Sequence, residues 1–200
     1  MTPPAFHHGN LRAVLLDEAV DMLREGGVDG LSLRELARRA GVSHGAPRSH
    51  FVDRRTLLEA VAERGFSRLA DDVAAALAGG GATRALFGRV AQAYVRFAIE
   101  DAALMDLMFA AKAGSESGAL PPSAVRLFQT LDDAMGPTAD VGIDDPARDT
   151  FKLLFGATMQ GIASLVATRR ITRAQGTALV EEALDTLLES RLGARAVTRA

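Results

Sequence analysis

The stretch LSLRELARRAGVSHGAPRSHF, residues 31–51, decides the reading of this chain. Ser32-Leu33-Arg34-Glu35 has the form of a capping box, in which the serine hydroxyl accepts from the amide three residues on and the glutamate reaches back to the serine amide. A helix is therefore predicted from residue 33, with Leu33, Leu36, Ala37 and Ala40 as its apolar stripe and Arg34, Arg38 and Arg39 on its open side. Gly41 is the expected stop, and Val42 the apolar contact of a Schellman-type end. Ser43 then caps a second short helix running to about His50, with Pro47 in its first turn, where a missing amide proton is tolerated. Two short helices joined by a turn of about three residues containing glycine form a helix-turn-helix signature.

Working outward, LRAVLLDEAVDMLRE (11–25) sets Leu11, Leu15, Ala19, Met22 and Leu23 at helical spacing, with Asn10 as N-cap and Gly26-Gly27 as the stop. Downstream, Asp53 caps a helix to Ala78, and Val52 with Leu57 would form its hydrophobic staple. Gly79-Gly80-Gly81 is the strongest break, and Thr83 is the expected cap of a helix over 84–100. Further helices are predicted over 103–112, 122–135, 147–170 and 173–192, separated by segments 114–122 and 136–146, which hold the Gly, Ser, Pro and Asp residues of loops. No strand pattern occurs. The expected fold is all-α: a helix-turn-helix, three-helix domain over 1–55, then a helical body over 56–200, with the helix from about 54 linking the two.

Composition agrees. The chain has 200 residues, 48% hydrophobic and 24% charged, and among them are 37 Ala and 25 Leu against 14 Val and 4 Ile, an excess of helix formers over strand formers. With no cysteine, disulfides, thiolate metal sites and a cysteine nucleophile are excluded. MTPPAFHHGN lacks the basic and apolar regions of a signal peptide, and no run approaches the roughly 18 apolar residues of a membrane span, so a soluble, cytoplasmic protein with no membrane partner is expected. The net charge of −2 gives no global sign of a nucleic-acid partner. Residues 31–55 differ: Arg34, Arg38, Arg39, Arg48, Arg54 and Arg55 face only Glu35 and Asp53, a local excess of +4, with His44 and His50 as further donors. Arginine forks suit phosphates and the guanine edge, so this segment is read as binding double-stranded DNA.

Residues 7–66 carry HGNLR, LSLRELARRAGVS, SHF and DRRTLL in an order and spacing that resembles the N-terminal domain of tetracycline-repressor-like (TetR family) regulators. Residues 84–192 resemble that family's regulatory domain more loosely, through YVRFAIEDAALMDLMF (94–109) and MQGIASL (159–165). The resemblance implies about nine helices, a DNA-reading head, and a body that binds an inducer and dimerises through its last two helices. It implies that the segment from Ser43 to His50 enters the major groove with His44, Gly45 and Ala46 nearest the bases, that Arg34 reaches the groove or its phosphates, and that Arg54 meets phosphate. The full expected contact set is Ser32, Arg34, Ser43, His44, Gly45, Ala46, Arg48, Ser49, His50, Arg54 and Arg55, whereas Phe51 is assigned to the core. Arg48 stands where the family's usual A-P-Y-x-H-F ending has tyrosine, and Gly45 offers no side chain. Both departures predict unusual operator preference or weaker specificity. Where relatives of this subgroup carry W-x-x-H-G, this chain has Ala157-Thr158-Met159-Gln160-Gly161.

In the body, Tyr94, Phe97, Met105, Met108, Phe109, Phe128, Phe155 and Met159 are candidate pocket residues, with Tyr94, Gln129 and Gln160 as polar groups to orient a ligand; for any single Phe or Met, ordinary core packing is the stronger reading. The pattern displays no cationic cluster, which favours an uncharged or apolar effector. Thr158, Gly161, Ser164, Leu165, Leu184, Leu187 and Leu188 are the expected homodimer interface. Neither cofactor nor metal is implied. All four histidines lie in the first fifty residues, leaving the body no histidine base, so an enzyme is disfavoured against a ligand-responsive repressor. A helical sensor with weakened DNA binding remains the alternative.

Overall fold

A computed structural model describes residues 11–113, 120–136 and 146–197, and among these there is no strand. Over these residues the chain is all-α, in two compact units: one takes residues 11–65 and 103–113, the other 66–102, 120–136 and 146–197. The helices are α1 (Leu11–Gly30), α2 (Leu33–Arg39), α3 (Arg54–Ala78), α4 (Thr83–Glu100), α5 (Ala102–Ala113), α6 (Pro122–Ala134), α7 (Pro146–Ala167), α8 (Arg173–Glu189) and α9 (Arg191–Ala196), with a 3-10 turn at Ala46–Ser49. The expected cap Asn10 and most of the two expected inter-helix segments lie outside the described residues.

In the first unit, α1 buries Leu15, Leu16, Ala19, Val20, Met22 and Leu23, and the expected stop appears as a kink at Gly27 (φ 64°) before a last turn to Gly30. Ser32 caps α2 by accepting from the Glu35 amide at 3.2 Å. The reciprocal half of the capping box is absent, because the Glu35 carboxylate forms a two-pronged pair with Arg38 one turn on. Gly41 takes φ 65°, Val42 N–H donates to Ala37 and Gly41 N–H to Arg38, which is the full Schellman pattern.

The second helix of the motif departs from expectation. Instead of an α-helix capped by Ser43, the chain forms a 3-10 turn with Gly45 as its N-cap and no side-chain cap. Ala46 N–H bonds to Ser43, Arg48 N–H to Gly45 and His50 N–H to Pro47. The reason is Pro47: in an α-helix its nitrogen would donate to Ser43, and its ring disfavours αR at the residue before it. Asp53 does cap α3, accepting from the Thr56 amide at 2.8 Å. The staple fails, since Leu57 is fully buried while Val52 is 82% exposed.

The first unit extends beyond the expected boundary at residue 55. Gly65 on α3 sits against α5 so closely that a Cβ there would lie 2.6 Å from Met108 Sδ and 3.0 Å from Leu104 Cγ. Met105 and Met108 are fully buried in this unit and Phe109 is 44% exposed. These three expected pocket residues thus belong to a different unit from Tyr94, Phe97, Phe128, Phe155 and Met159.

The second unit packs α4, α7, α8 and α9 together. Phe87 meets Phe151 and Phe155 edge-on at 5.8 and 5.9 Å between ring centres, and Phe151 and Phe155 stack at 6.3 Å. Phe155 and Met159 are therefore close-packed core, as is Phe97, over whose ring Arg68 lies at 5.5 Å. Phe128 is half-buried under Lys152, and Gln129 is exposed. Tyr94 and Gln160 do come together, the phenol donating to Gln160 Oε1 at 3.3 Å. By length and composition α7 would suffice to cross a membrane, a property it shares with core helices of helical bundles.

Two end effects correct the expected boundaries. Thr83 lies inside α4, whose N-cap is Ala82 without a side-chain bond. The predicted helix over 173–192 breaks at Ser190, whose hydroxyl donates to Leu187 and accepts from Gly193 N–H, starting α9. At Gly193 a Cβ would fall 2.3 Å from the Leu187 carbonyl oxygen, so only glycine permits this return. Leu184, Leu187 and Leu188, expected at a dimer interface, are instead buried within the chain itself. Gly161 and Ser164 are exposed and Thr158 and Leu165 half-buried, and the outward leucines are Leu153, Leu154 and Leu179.

Burial pushes the Tyr94 phenol up to about 12. An acid whose folded pKa is raised above the ordinary value of about 10 stabilises the fold below that value and loses the contribution as pH rises through the folded pKa. Tyr94 is the sole tyrosine and the chain has no tryptophan. A phenolate absorbance titration is therefore expected to give one midpoint near 12, with the stability of the chain falling between about pH 10 and 12; a midpoint at the ordinary value would disprove the burial of this ring.

Candidate nucleic-acid interface

Leu33 and Arg34 at the start of α2, with His44, Gly45 and Arg48 around the 3-10 turn, line one open groove of about 520 Å³. Leu33, expected in the core stripe, is half-buried at its edge, while Leu36, Ala37 and Ala40 are buried. Ser43, His44, Gly45, Arg48, Ser49 and His50 are exposed, and Ala46 and Ser32 are half-buried. Ser32 is engaged as the cap of α2, and the Ser49 hydroxyl donates to the Ala46 carbonyl at 2.7 Å. Beneath the turn Pro47 is buried and Phe51 is 1% exposed, with the Arg12 guanidinium 5.5 Å from the Phe51 ring centre. Phe51 is thus core, as expected.

The arginines of the basic window do different things. Arg38 is paired with Glu35. Arg39 bonds to Glu18 and Glu25 of α1; the Glu25 hydrogen bond is the largest cause holding the guanidinium well above its ordinary pKa, and Arg39 in turn lowers Glu25. Arg55 lies 3.5 Å from Glu59. Arg54, expected at phosphate, donates from Nε to the Leu31 carbonyl at 2.8 Å and from Nη2 to the Val28 carbonyl at 2.6 Å, tying the start of α3 to the last turn of α1 and the residue that follows it. Arg34 and Arg48 make no ion pair or hydrogen bond among the described residues, and both open onto the groove. Sequence reading missed the α1 carboxylates that neutralise Arg39, although Glu18 and Glu25, seven apart on one helix, were a readable signal. Nothing in the pattern marked Val52, exposed just past the turn.

The family model of bacterial regulatory proteins of the tetR family matches residues 15–61, and that of the tetracyclin repressor-like C-terminal domain matches residues 87–189. The chain belongs to the TetR family. Its helix-turn-helix is thus α2 followed by the 3-10 turn at Ala46–Ser49. A solved structure of a protein of unknown function from Rhodococcus sp. RHA1 is 37% identical, with 92% of this chain and 97% of that one covered at a TM-score of 0.76. A TetR transcriptional regulator from Streptomyces coelicolor is 27% identical, covering 88% and 97% at a TM-score of 0.54. The class A tetracycline repressor protein from transposon 1721 of Escherichia coli is 53% identical over 45 residues, so the matched chain spans only 21% of that relative's length.

In this TetR-family head, Arg54 acts through the carbonyls it holds. Arg54→Ala is expected to cost about 1 kcal/mol of stability and to speed hydrogen exchange of the 31–40 amides, whereas Arg48→Ala leaves both unchanged. Equal exchange in the two variants would remove the clamp from the account of the head.

Proposed function

We infer that the chain is a ligand-responsive transcriptional repressor that binds a palindromic operator as a homodimer and is released by a small-molecule effector held in its second unit. The observation carrying this reading is the pair of unpartnered guanidiniums, Arg34 and Arg48, on the groove formed with His44 and Gly45 in a helix-turn-helix of the TetR family. Phosphate neutralisation supplies affinity, and base-edge contacts from His44 and its neighbours supply selection. A two-fold dimer would present two such grooves about 34–36 Å apart, one duplex turn. The exposed side of α7 with Leu153, Leu154, Gly161 and Ser164 supports self-association.

Ligand release requires the effector to bind the non-operator state more tightly than the operator state. The sequence-based preference for an uncharged effector rested on the lack of a cationic cluster, and the fold assembles one, described below. A second reading, a sensor with weakened DNA binding, is favoured by the 3-10 geometry of the recognition turn and the bare Gly45.

Fluorescence anisotropy with duplexes from the gene's own upstream region, repeated across salt, distinguishes the two. A repressor is expected to select one palindromic site with a steep negative salt slope, Arg34→Ala and Arg48→Ala weakening all sequences alike and His44→Ala changing base preference. Equal, weak binding to every duplex would favour the sensor.

A further inference from the structure

The second unit carries a feature that DNA recognition leaves unused. Two adjoining clefts, of about 400 and 740 Å³, share Ile99, Val166 and Arg173 in their walls. Four arginines line them: Arg96 from α4, Arg169 and Arg170 from the turn after α7, and Arg173 from the first turn of α8. All four are exposed, and none makes an ion pair or side-chain hydrogen bond among the described residues. No carboxylate lines either cleft. Elsewhere in the same unit Arg84 is matched to Glu181 and Asp185 and Arg126 to Asp71, while Arg191 and Arg195 of α9 are exposed without an ion pair among the described residues but line neither cleft. Arg96 lines the first cleft, Arg169 and Arg170 the second, and Arg173 both, and like charges brought to adjoining clefts repel one another, an arrangement that a bound anion relieves.

The backbone adds an independent sign. Arg169 holds φ 57° at the left-handed position of a Schellman end, with Arg170 N–H donating to Leu165 and Arg169 N–H to Val166. Glycine is the usual occupant there, and a residue in a sparsely populated conformation points to a use for its side chain. Arg173 sits at the start of α8, the end of a helix that disfavours a cation. The α8 N-terminus is not itself the site, because Thr172 and Gln175 already form a reciprocal capping box. The floor is apolar: Val95, Val166 and Val180 are buried and Ile99 is half-buried. Gly176 allows α8 to come close enough to α7 to make that floor, since a Cβ there would lie 2.5 Å from Val166 Cγ2.

We propose that the Arg96–Arg169–Arg170–Arg173 cleft binds a small amphiphilic anion, a carboxylate or phosphate monoester whose head is gripped by the guanidinium forks and whose apolar chain lies along Val95, Ile99, Val166 and Val180. Guanidinium matches both oxyanions with paired hydrogen bonds, and the clefts lie in the size range of small-molecule sites. The site deepens the repressor reading by naming the effector's chemical class, and rests on that reading only for its consequence at the operator.

The test is calorimetric titration of the whole chain with decanoate, with 1-decanol as the uncharged chain of equal length and inorganic phosphate as the charge without a chain. Decanoate is expected to bind once per chain, at least tenfold more tightly than either control, and to weaken with added chloride. Arg96→Gln/Arg173→Gln is expected to lose at least tenfold in decanoate affinity with its melting temperature retained, and Arg169→Gly to lose affinity without losing thermal stability. Decanol binding as well as decanoate, undiminished decanoate binding in the double variant, or no binding of decanoate would each overturn the site. Anisotropy with decanoate-saturated protein then separates the two ideas: binding without operator release leaves the anion site standing and removes the effector role.

Discussion

Pro47 lacks the amide proton that would have made the recognition segment an α-helix, and the head is organised around that missing donor. The turn is held by i to i+3 bonds whose geometry is poorer than that of an α-helix, closed by a single i to i+4 bond from Phe51 N–H to the Pro47 carbonyl at 2.8 Å, so local hydrogen bonding cannot fix it alone. Its position comes from below and from the sides. Pro47 and Phe51 are buried, Arg12 lies over the Phe51 ring, the left-handed Gly41 aims the chain out of α2, and Arg54 fastens the following helix to the Val28 and Leu31 carbonyls. A short turn supported in this way presents His44, Gly45 and Arg48 outward without a hydrogen-bonded helix behind them.

The same tertiary supports sort the charges. A net of −2 for the chain, and an excess of +4 over residues 31–55, are both sums that ignore partners. In the folded head Arg38 and Arg39 are matched by Glu35, Glu18 and Glu25, and Arg54 serves backbone carbonyls, leaving Arg34 and Arg48 open to the groove. In the second unit the reverse occurs. Arg96 is far in sequence from Arg169, Arg170 and Arg173, and the packing of α4 on α7 and α8 brings the four to two adjoining clefts that share Arg173. A charge that looks diluted along the chain becomes concentrated in space, and one that looks concentrated becomes neutralised.

Core and interface divide along similar lines. Phe and Met at helical spacing are compatible with a ligand cavity or with a packed interior, and the edge-on contacts of Phe87 with Phe151 and Phe155 decide for the interior. Leu184, Leu187 and Leu188 share a stripe that could serve a partner or the chain's own core, and all three are buried within the chain, with α4 so near Leu184 that a Cβ added at Gly88 would lie 3.6 Å from its Cδ2.

The sequence by itself determined what depends on neighbours a few residues apart: the all-α class, the Ser32 and Asp53 caps, the Gly41 stop and the helix-turn-helix spacing. These follow from side-chain to backbone bonds and helical periodicity, which act within one or two turns. The 3-10 form at Pro47 and the return of α9 at Gly193 are local too, set by the proline's missing amide proton and by contacts within six residues, whereas only the tertiary structure decided the exposure of Val52 and the membership of α5 in the first unit through Gly65. It also decided which arginines are free. Those outcomes rest on close approach and charge pairing between residues dozens of positions apart, and periodicity along one helix holds no record of what another helix brings to meet it.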